Sequence, residues 1–141
     1  MSVKYSVAAR KNPRNPALPK MYYAQAQADG TLEFETMCET IADRGTCIKG
    51  DVMAALDGII YTMKQALAEG QIVRLGELGS FQVMLGSRPA AAAKEFVSGL
   101  IRKRKIVFRP GKALTDLLKT LSYKQVNLLP AKEKEKEKEE V

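Results

Sequence analysis

Glu69-Gly70-Gln71-Ile72-Val73-Arg74-Leu75-Gly76-Glu77-Leu78-Gly79-Ser80-Phe81 is the stretch from which the rest of the chain can be ordered. Residues 72–75 and 78–85 read as strands, the second with Phe81, Val83 and Leu85 on one face and Ser80, Gln82 and Met84 on the other. Gly76 and Gly79 punctuate them, and Glu77-Leu78 predicts a tight turn or bulge whose bare backbone lets another segment come close. Upstream, Val52, Leu56, Ile59, Ile60, Met63 and Leu67 recur at spacings of three and four, which predicts a helix with Asp51 in its first turn and Gly70 past its end. Gly58 inside it costs about 1 kcal/mol against alanine, so it is read as the place where another helix approaches. A shorter helix precedes, with Phe34, Met37, Cys38 and Ile41 on one face and Gly45 as terminator.

Downstream, residues 86–99 hold four consecutive alanines and little pattern, and 100–109 are strongly β-like and basic. Together they read as a flexible hairpin arm. Pro110, Gly111 and Lys112 open a last helix whose Leu114, Leu117, Leu118 and Leu121 are expected to cap the sheet. The Lys/Glu alternation at 132–140 has no apolar face, so it is a solvated helix held by i,i+4 pairs or disorder, and we read 123–141 as a disordered tail. At the other end, Val3, Tyr5 and Val7 alternate with Lys4 and Ser6 as in a half-buried strand, and Tyr22 to Ala28 form a second. Pro13, Pro16 and Pro19 break any ladder between them. Residues 1–30 are therefore expected to be a hairpin with a long proline-rich connection.

The formal net charge is +7, and it is segregated: residues 1–20 carry +5 with no acid, 21–85 carry −5, and 86–112 carry +7. Such separation is the electrostatic footprint of a polyanion binder. The absence of histidine removes the commonest general acid–base, and no serine or cysteine sits in a nucleophile-elbow setting, so no catalytic residue is assigned. Cys38 and Cys47 provide neither a disulfide framework nor a zinc constellation; nine positions apart, they leave a bridge geometrically open, and buried free thiols are the preferred reading. No metal, cofactor or small-molecule substrate is implied. No apolar run is long enough to span a membrane, and residues 1–10 lack the apolar stretch of a secretion signal, which makes the cytoplasm the expected compartment.

The order helix, helix, strand, strand, basic arm, strand, helix resembles the HU/IHF histone-like family. The stretch quoted first is similar to that family's segment running from the second helix through its Gly-x-Gly-x-Phe turn. Phe108-Arg109-Pro110-Gly111-Lys112-Ala113-Leu114 is similar to its run of phenylalanine, two residues, then Gly-Lys-Ala-Leu at the start of the last helix. The two anchors cover roughly residues 31–122. The basic N-terminal hairpin resembles an extended, Bacteroidetes-type branch. The organisation implied is a hairpin extension at 1–30, an HU-like domain at 31–122 and a tail at 123–141.

The resemblance implies an α+β fold in which the helices of two subunits interlock into a dimer base. Antiparallel sheets form a saddle above it, and β arms reach around double-stranded DNA. It implies a homodimer that organises the nucleoid by contacting phosphates, with Val52, Leu56, Ile59 and Met63 in the dimer core and Phe81 and Phe108 beneath the saddle. The DNA-binding residues expected are Arg88, Lys94, Arg102, Lys103, Arg104, Lys105, Arg109 and Lys112, the last at a helix start where free N–H groups favour a phosphate. Arg102 to Lys105 are consecutive, so only part of the run can face one groove. Arg10, Lys11, Arg14 and Ser80 are accessory candidates.

DNA-bending members carry Arg-Asn-Pro near the arm tip and wedge that proline between base pairs. Here the only wedge candidate is Pro89, read as lying near the arm's base, so sharp kinking is not implied. Arg14-Asn15-Pro16 is read as a plain turn. Two other readings stay open: a dimeric scaffold whose arm takes an acidic protein, and an RNA or single-strand binder. Against the latter, the few aromatics are not interleaved with the arm's bases as stacking platforms would be.

Overall fold

The structure is a computed structural model and describes residues 1–127. The chain forms two compact units: Leu32–Lys119, and Met1–Thr31 together with residues 120–127. The Lys/Glu alternation at 132–140 lies outside the described residues.

In the unit Leu32–Lys119, helix α1 (Phe34–Arg44) leads into α2 (Lys49–Ala68). The Lys49 ammonium donates to Glu39 Oε1 at 2.7 Å, with Glu35 3.9 Å away, tying the start of α2 back to α1. The hydrogen bond to Glu39, helped by the charge of both carboxylates, holds that ammonium above the ordinary lysine range. Gly70, at φ +78°, takes the left-handed conformation that ends α2. Strands β3 (Val73–Arg74), β4 (Gly79–Ser87) and β5 (Ile101–Pro110) follow as an antiparallel sheet in the order β3-β4-β5, and α3 (Lys112–Leu118) comes last.

The glycine turn expected from the sequence is the joint of this unit. Leu78 N–H donates to Leu75 O, Leu75 N–H to Gly79 O, and Gly76 and Gly79 have φ of +57° and +138°. The segment that comes close is Gly111, whose N–H donates to Leu78 O at 3.0 Å. A Cβ on Gly111 would stand 2.1 Å from Glu77 O, and one on Gly79 would stand 2.2 Å from Arg109 O. Both positions therefore exclude any side chain, and β5 is clamped to the turn just before α3 begins.

Cys38 and Val52 are the buried apolar side chains here. The rest of the expected apolar faces is largely open in the single chain: Ile41 is 44% exposed, Ile60 52% and Leu117 53%. A groove of about 520 Å³ runs between α2 and β3, lined by Ala55, Gly58, Ile59, Met63, Val73 and Leu75 among others. A Cβ on Gly58 would meet nothing within 4 Å, so among the described residues no helix makes the expected close approach there. The last helix departs from expectation in two ways. It stops at Leu118, leaving Leu121 outside, and Leu114, Leu117 and Leu118 are exposed instead of capping the sheet. Both cysteines are free; Cys38 is buried as expected, whereas Cys47 is exposed, because it falls in the turn between α1 and α2.

The other unit is a three-stranded sheet in the order β2-β1-β6, from β1 (Val3–Arg10), β2 (Met21–Gln27) and β6 (Tyr123–Gln125). The expected hairpin is present, with Lys4 opposite Gln27 and Arg10 opposite Met21. Residues 123–125, read from the sequence as tail, instead pair parallel with β1, Val3 opposite Tyr123. On the face expected to be half-buried, Val3 and Tyr5 are half-buried and Val7 is exposed; on the other, Ser6 is 5% exposed and accepts a 2.9 Å hydrogen bond from Gln27 Nε2. Alternation from this register puts Lys4, Ser6, Arg10, Met21 and Tyr23 on one face and Val3, Tyr5, Val7 and Tyr22 on the other. Among the described residues no helix is long and apolar enough to cross a membrane.

Candidate nucleic-acid interface

The ladder between β4 and β5 decides which basic side chains act together. Ser80 pairs with Arg109, Phe81 with Phe108, Gln82 with Val107, Met84 with Lys105 and Gly86 with Lys103. Residues directly opposite in an antiparallel pair share a face, and neighbours along a strand alternate. One face therefore carries Ser80, Gln82, Met84, Lys103, Lys105 and Arg109. The opposite face carries Phe81, Val83, Leu85, Ile106 and Phe108, together with Arg102 and Arg104. The Phe81 and Phe108 rings lie 5.0 Å apart at 34°, an aromatic cross-strand pair of the kind that stabilises such a ladder.

Arg74 extends the cationic face. It is opposite Ser80 in the β3–β4 pairing, and Ser80 is opposite Arg109 on the other side, so Arg74, Ser80 and Arg109 form one row across the sheet. Arg74 escaped the sequence reading because a lone base in a two-residue strand has no pattern of its own. The usable signal is that Val73 and Phe81 are both apolar, which fixes the facing of the residue between Val73 and Leu75.

The expected site residues divide between the two faces. Lys103, Lys105 and Arg109 share the polar face with Ser80; Arg102 and Arg104 are on the apolar side. At the far end the register shifts between Gly86 and Ser87. There a groove of about 540 Å³ gathers Arg88, Arg102 and Lys103 around the bare Gly86. A second, of about 550 Å³, is bordered by all four residues of the run together with Met84 and Leu85, so the arm's edge is charged as well as its face.

The connection from β4 to β5 contains two short 3₁₀ turns, Ala93–Glu95, which includes Lys94, and Ser98–Leu100. Arg88 N–H closes it onto Leu100 O at 2.9 Å. Pro89 is exposed and begins this connection, at the distal end of the ladder and not at the arm's base, because the ladder runs outward from Gly79 and Pro110 to Ser87 and Ile101. Lys112 is the first residue of α3, which is only seven residues long and has no side-chain cap. Among the described residues no ion pair involves any of these bases; the pairs present are Lys4 with Asp29, Lys49 with Glu35 and Glu39, and Lys119 with Asp116.

Arg10, Lys11 and Arg14 belong to the other unit, where Arg10 ends β1 and the other two open the loop to β2. Arg14 N–H donates to Asn12 Oδ1 at 2.9 Å and Ala17 N–H to Asn15 Oδ1 at 3.3 Å. Asn15 N–H in turn donates to Asn12 O and Leu18 N–H to Asn15 O. Arg14-Asn15-Pro16 is thus a turn, as its residues suggest.

The family model described as "HU domain fused to wHTH, Ig, or Glycine-rich motif" (HU-HIG) matches residues 1–125. The chain belongs to this family. A curated relative, "DNA-binding protein HU" of Thermotoga maritima, is 36% identical over 90 residues, spanning 59% of this chain and 94% of its own. A crystal structure of a putative bacterial DNA-binding protein from Bacteroides vulgatus is similar with a TM-score of 0.63 at 14% identity. That match covers 92% of this HU-HIG chain but only half of the Bacteroides protein. The fold is therefore shared with that structure, and the α+β, HU-like class expected from the sequence holds.

Proposed function

We propose that the chain is an architectural DNA-binding protein that grips duplex DNA as a homodimer, through backbone phosphates and with little sequence preference, in the organisation of a nucleoid. The observation that carries this reading is the row Arg74, Lys103, Lys105 and Arg109 on one sheet face, free of carboxylate partners among the described residues. A line of unneutralised cations along a rigid ladder matches the repeating charge of a phosphate backbone, and its affinity comes from counterion release, which does not depend on base identity. The groups that would read bases are few on this face: Ser80 and Gln82. Membership of the HU-HIG family and the named DNA-binding relative support the same conclusion.

The exposed apolar surface supports the dimer. Soluble monomers rarely leave contiguous apolar patches of this kind open, and the groove beside Gly58 is lined mainly by apolar side chains with open space above the glycine. A second copy, presenting the same α2 surface across a two-fold axis, satisfies both.

Two measurements test the proposal. Sedimentation should give a dimer at micromolar concentration, and a folded monomer there would remove the shared core. In gel shifts, log affinity for duplexes of unrelated sequence should fall together and linearly with log salt, by about 0.9 per phosphate neutralised. Strong discrimination among duplexes, or a flat salt response, would defeat the phosphate reading.

A further inference from the structure

Outside the arm, one other place among the described residues combines cations without acids, an apolar surface and a preset backbone. A cleft of about 570 Å³ in the proline-rich loop unit is lined by Arg10, Lys11, Pro13, Leu18, Met21 and Tyr23, among others. That volume falls within the about 300–1,000 Å³ usual for small-ligand sites. Arg10, Met21 and Tyr23 meet there because β1 and β2 place them on one face: Arg10 is opposite Met21, and Tyr23 is opposite Ala8. Linked turns at Asn12 and Asn15 hold the loop, so little ordering is left to be done on binding.

The charge balance is one-sided. Arg10, Lys11, Arg14 and Lys20 make no ion pair among the described residues, and residues 1–20 contain no acid. Lys4, on the same face, is already engaged by Asp29. Tyr23 keeps 52% of its surface open, an aromatic side chain bordered by bases. The arm face lacks that combination: its members are Arg74, Ser80, Gln82, Met84, Lys103, Lys105, Val107 and Arg109, with no aromatic.

We infer that the cleft of Arg10, Lys11 and Tyr23 is a second nucleic-acid site, one that takes an unpaired nucleotide. Its phosphate sits against the two cations, and its base lies on Tyr23 with Pro13 and Leu18 as apolar walls. Stacking demands a base whose face is free, which a paired duplex does not offer along its length, whereas the cations alone would accept either form. The contribution of Tyr23 is separable from the arm's, because its ring stacks only on an unpaired base while the arm's cations contact phosphates.

The test uses the full chain with oligo-dT, oligo-U and a duplex, followed by anisotropy and by tyrosine emission, since the chain has no tryptophan. Tyr23→Ala should weaken one or both single strands by about 5- to 150-fold, the range of one stacked base, while duplex affinity stays unchanged. A response of one strand alone assigns the site to DNA or to RNA, and a response of both assigns it to unpaired nucleotides of either sugar. Tyr23→Phe should keep the affinity yet lose part of the emission quenching, because the ring still stacks but that fluorophore is gone. Arg10→Ala with Lys11→Ala should lower the single-strand salt slope. Single-strand affinity untouched by Tyr23→Ala, or lost equally with duplex affinity, would overturn the site. Loss of duplex binding in the arm variants bears only on the arm.

Discussion

The two sheets of this chain each have three strands and each have a basic part, yet they present charge differently. In β3-β4-β5 the bases are spread along a ladder, at positions of β5 and across to Arg74, with Ser80, Gln82, Met84 and Val107 among them on the same face. In β2-β1-β6 they are gathered at one end, around a cleft that also holds Tyr23. A row follows a polymer; a cup holds a unit of it. Net charge does not distinguish them, since residues 1–20 and 86–112 carry +5 and +7. What distinguishes them is which neighbours the strand register places beside the charge.

The largest effect that would break this comparison concerns the row. Replacing Arg74, Lys105 and Arg109 with alanine should flatten the log–log salt slope for duplex DNA by about 0.9 for each phosphate left unneutralised, or about 5 when both subunits of a dimer carry all three changes. Replacing Lys94, Arg102 and Arg104 removes the same charge from other places and should change the slope less. Equal losses from the two triple variants would mean that charge alone matters and facing does not.

Next in size come two glycines, one in each unit. Gly79→Ala must bear a φ of +138° and a Cβ 2.2 Å from Arg109 O, whereas Gly30→Ala bears a φ of +124° in open space. Thermal or denaturant unfolding should show a cost of about 1–3 kcal/mol for Gly30→Ala, from backbone strain alone. Gly79→Ala should cost more, because the clash adds to the strain. Similar costs would show that the turn and β5 separate more readily than their close approach implies.

The smallest expected effect is the sharpest control on the cup. Lys4 shares a face with Arg10 and Tyr23, but its ammonium is paired with Asp29 and both are solvent-exposed. Lys4→Ala should alter stability by no more than about 0.5 kcal/mol and leave single-strand affinity unchanged. A marked loss of that affinity would mean that the whole face, and not the cleft, attracts the strand.

Much of the Leu32–Lys119 unit was legible because its signals are local. Gly76 and Gly79 marked a turn that needs positive φ, the period of α2 marked its length, and the alternation at Phe81, Val83 and Leu85 marked the face now known to be apolar. What escaped depends on partners distant in sequence. Strand β6 has three residues and becomes a strand only by lying beside β1, more than a hundred positions earlier. Arg74 joined the site through pairing with Ser80. The leucines of α3 predict a cap, but an apolar stripe says that something must cover it without saying what. Tyr23 was read only as part of a strand, since its proximity to Arg10 comes from the hairpin register.

The parallel pairing of β6 with β1 also sets an order of events during synthesis. The sheet that begins the chain lacks its third strand until residue 125 has been made, and the whole Leu32–Lys119 unit emerges between its hairpin and that strand. At about 5–20 residues per second, the first hairpin waits roughly 5–20 s for its partner, ample time for the intervening unit to fold as each part appears. Of the two units, the sheet of β1 and β2 thus starts to emerge before the other and is completed after it, and a nascent chain halted before Tyr123 carries a finished arm and an unfinished sheet.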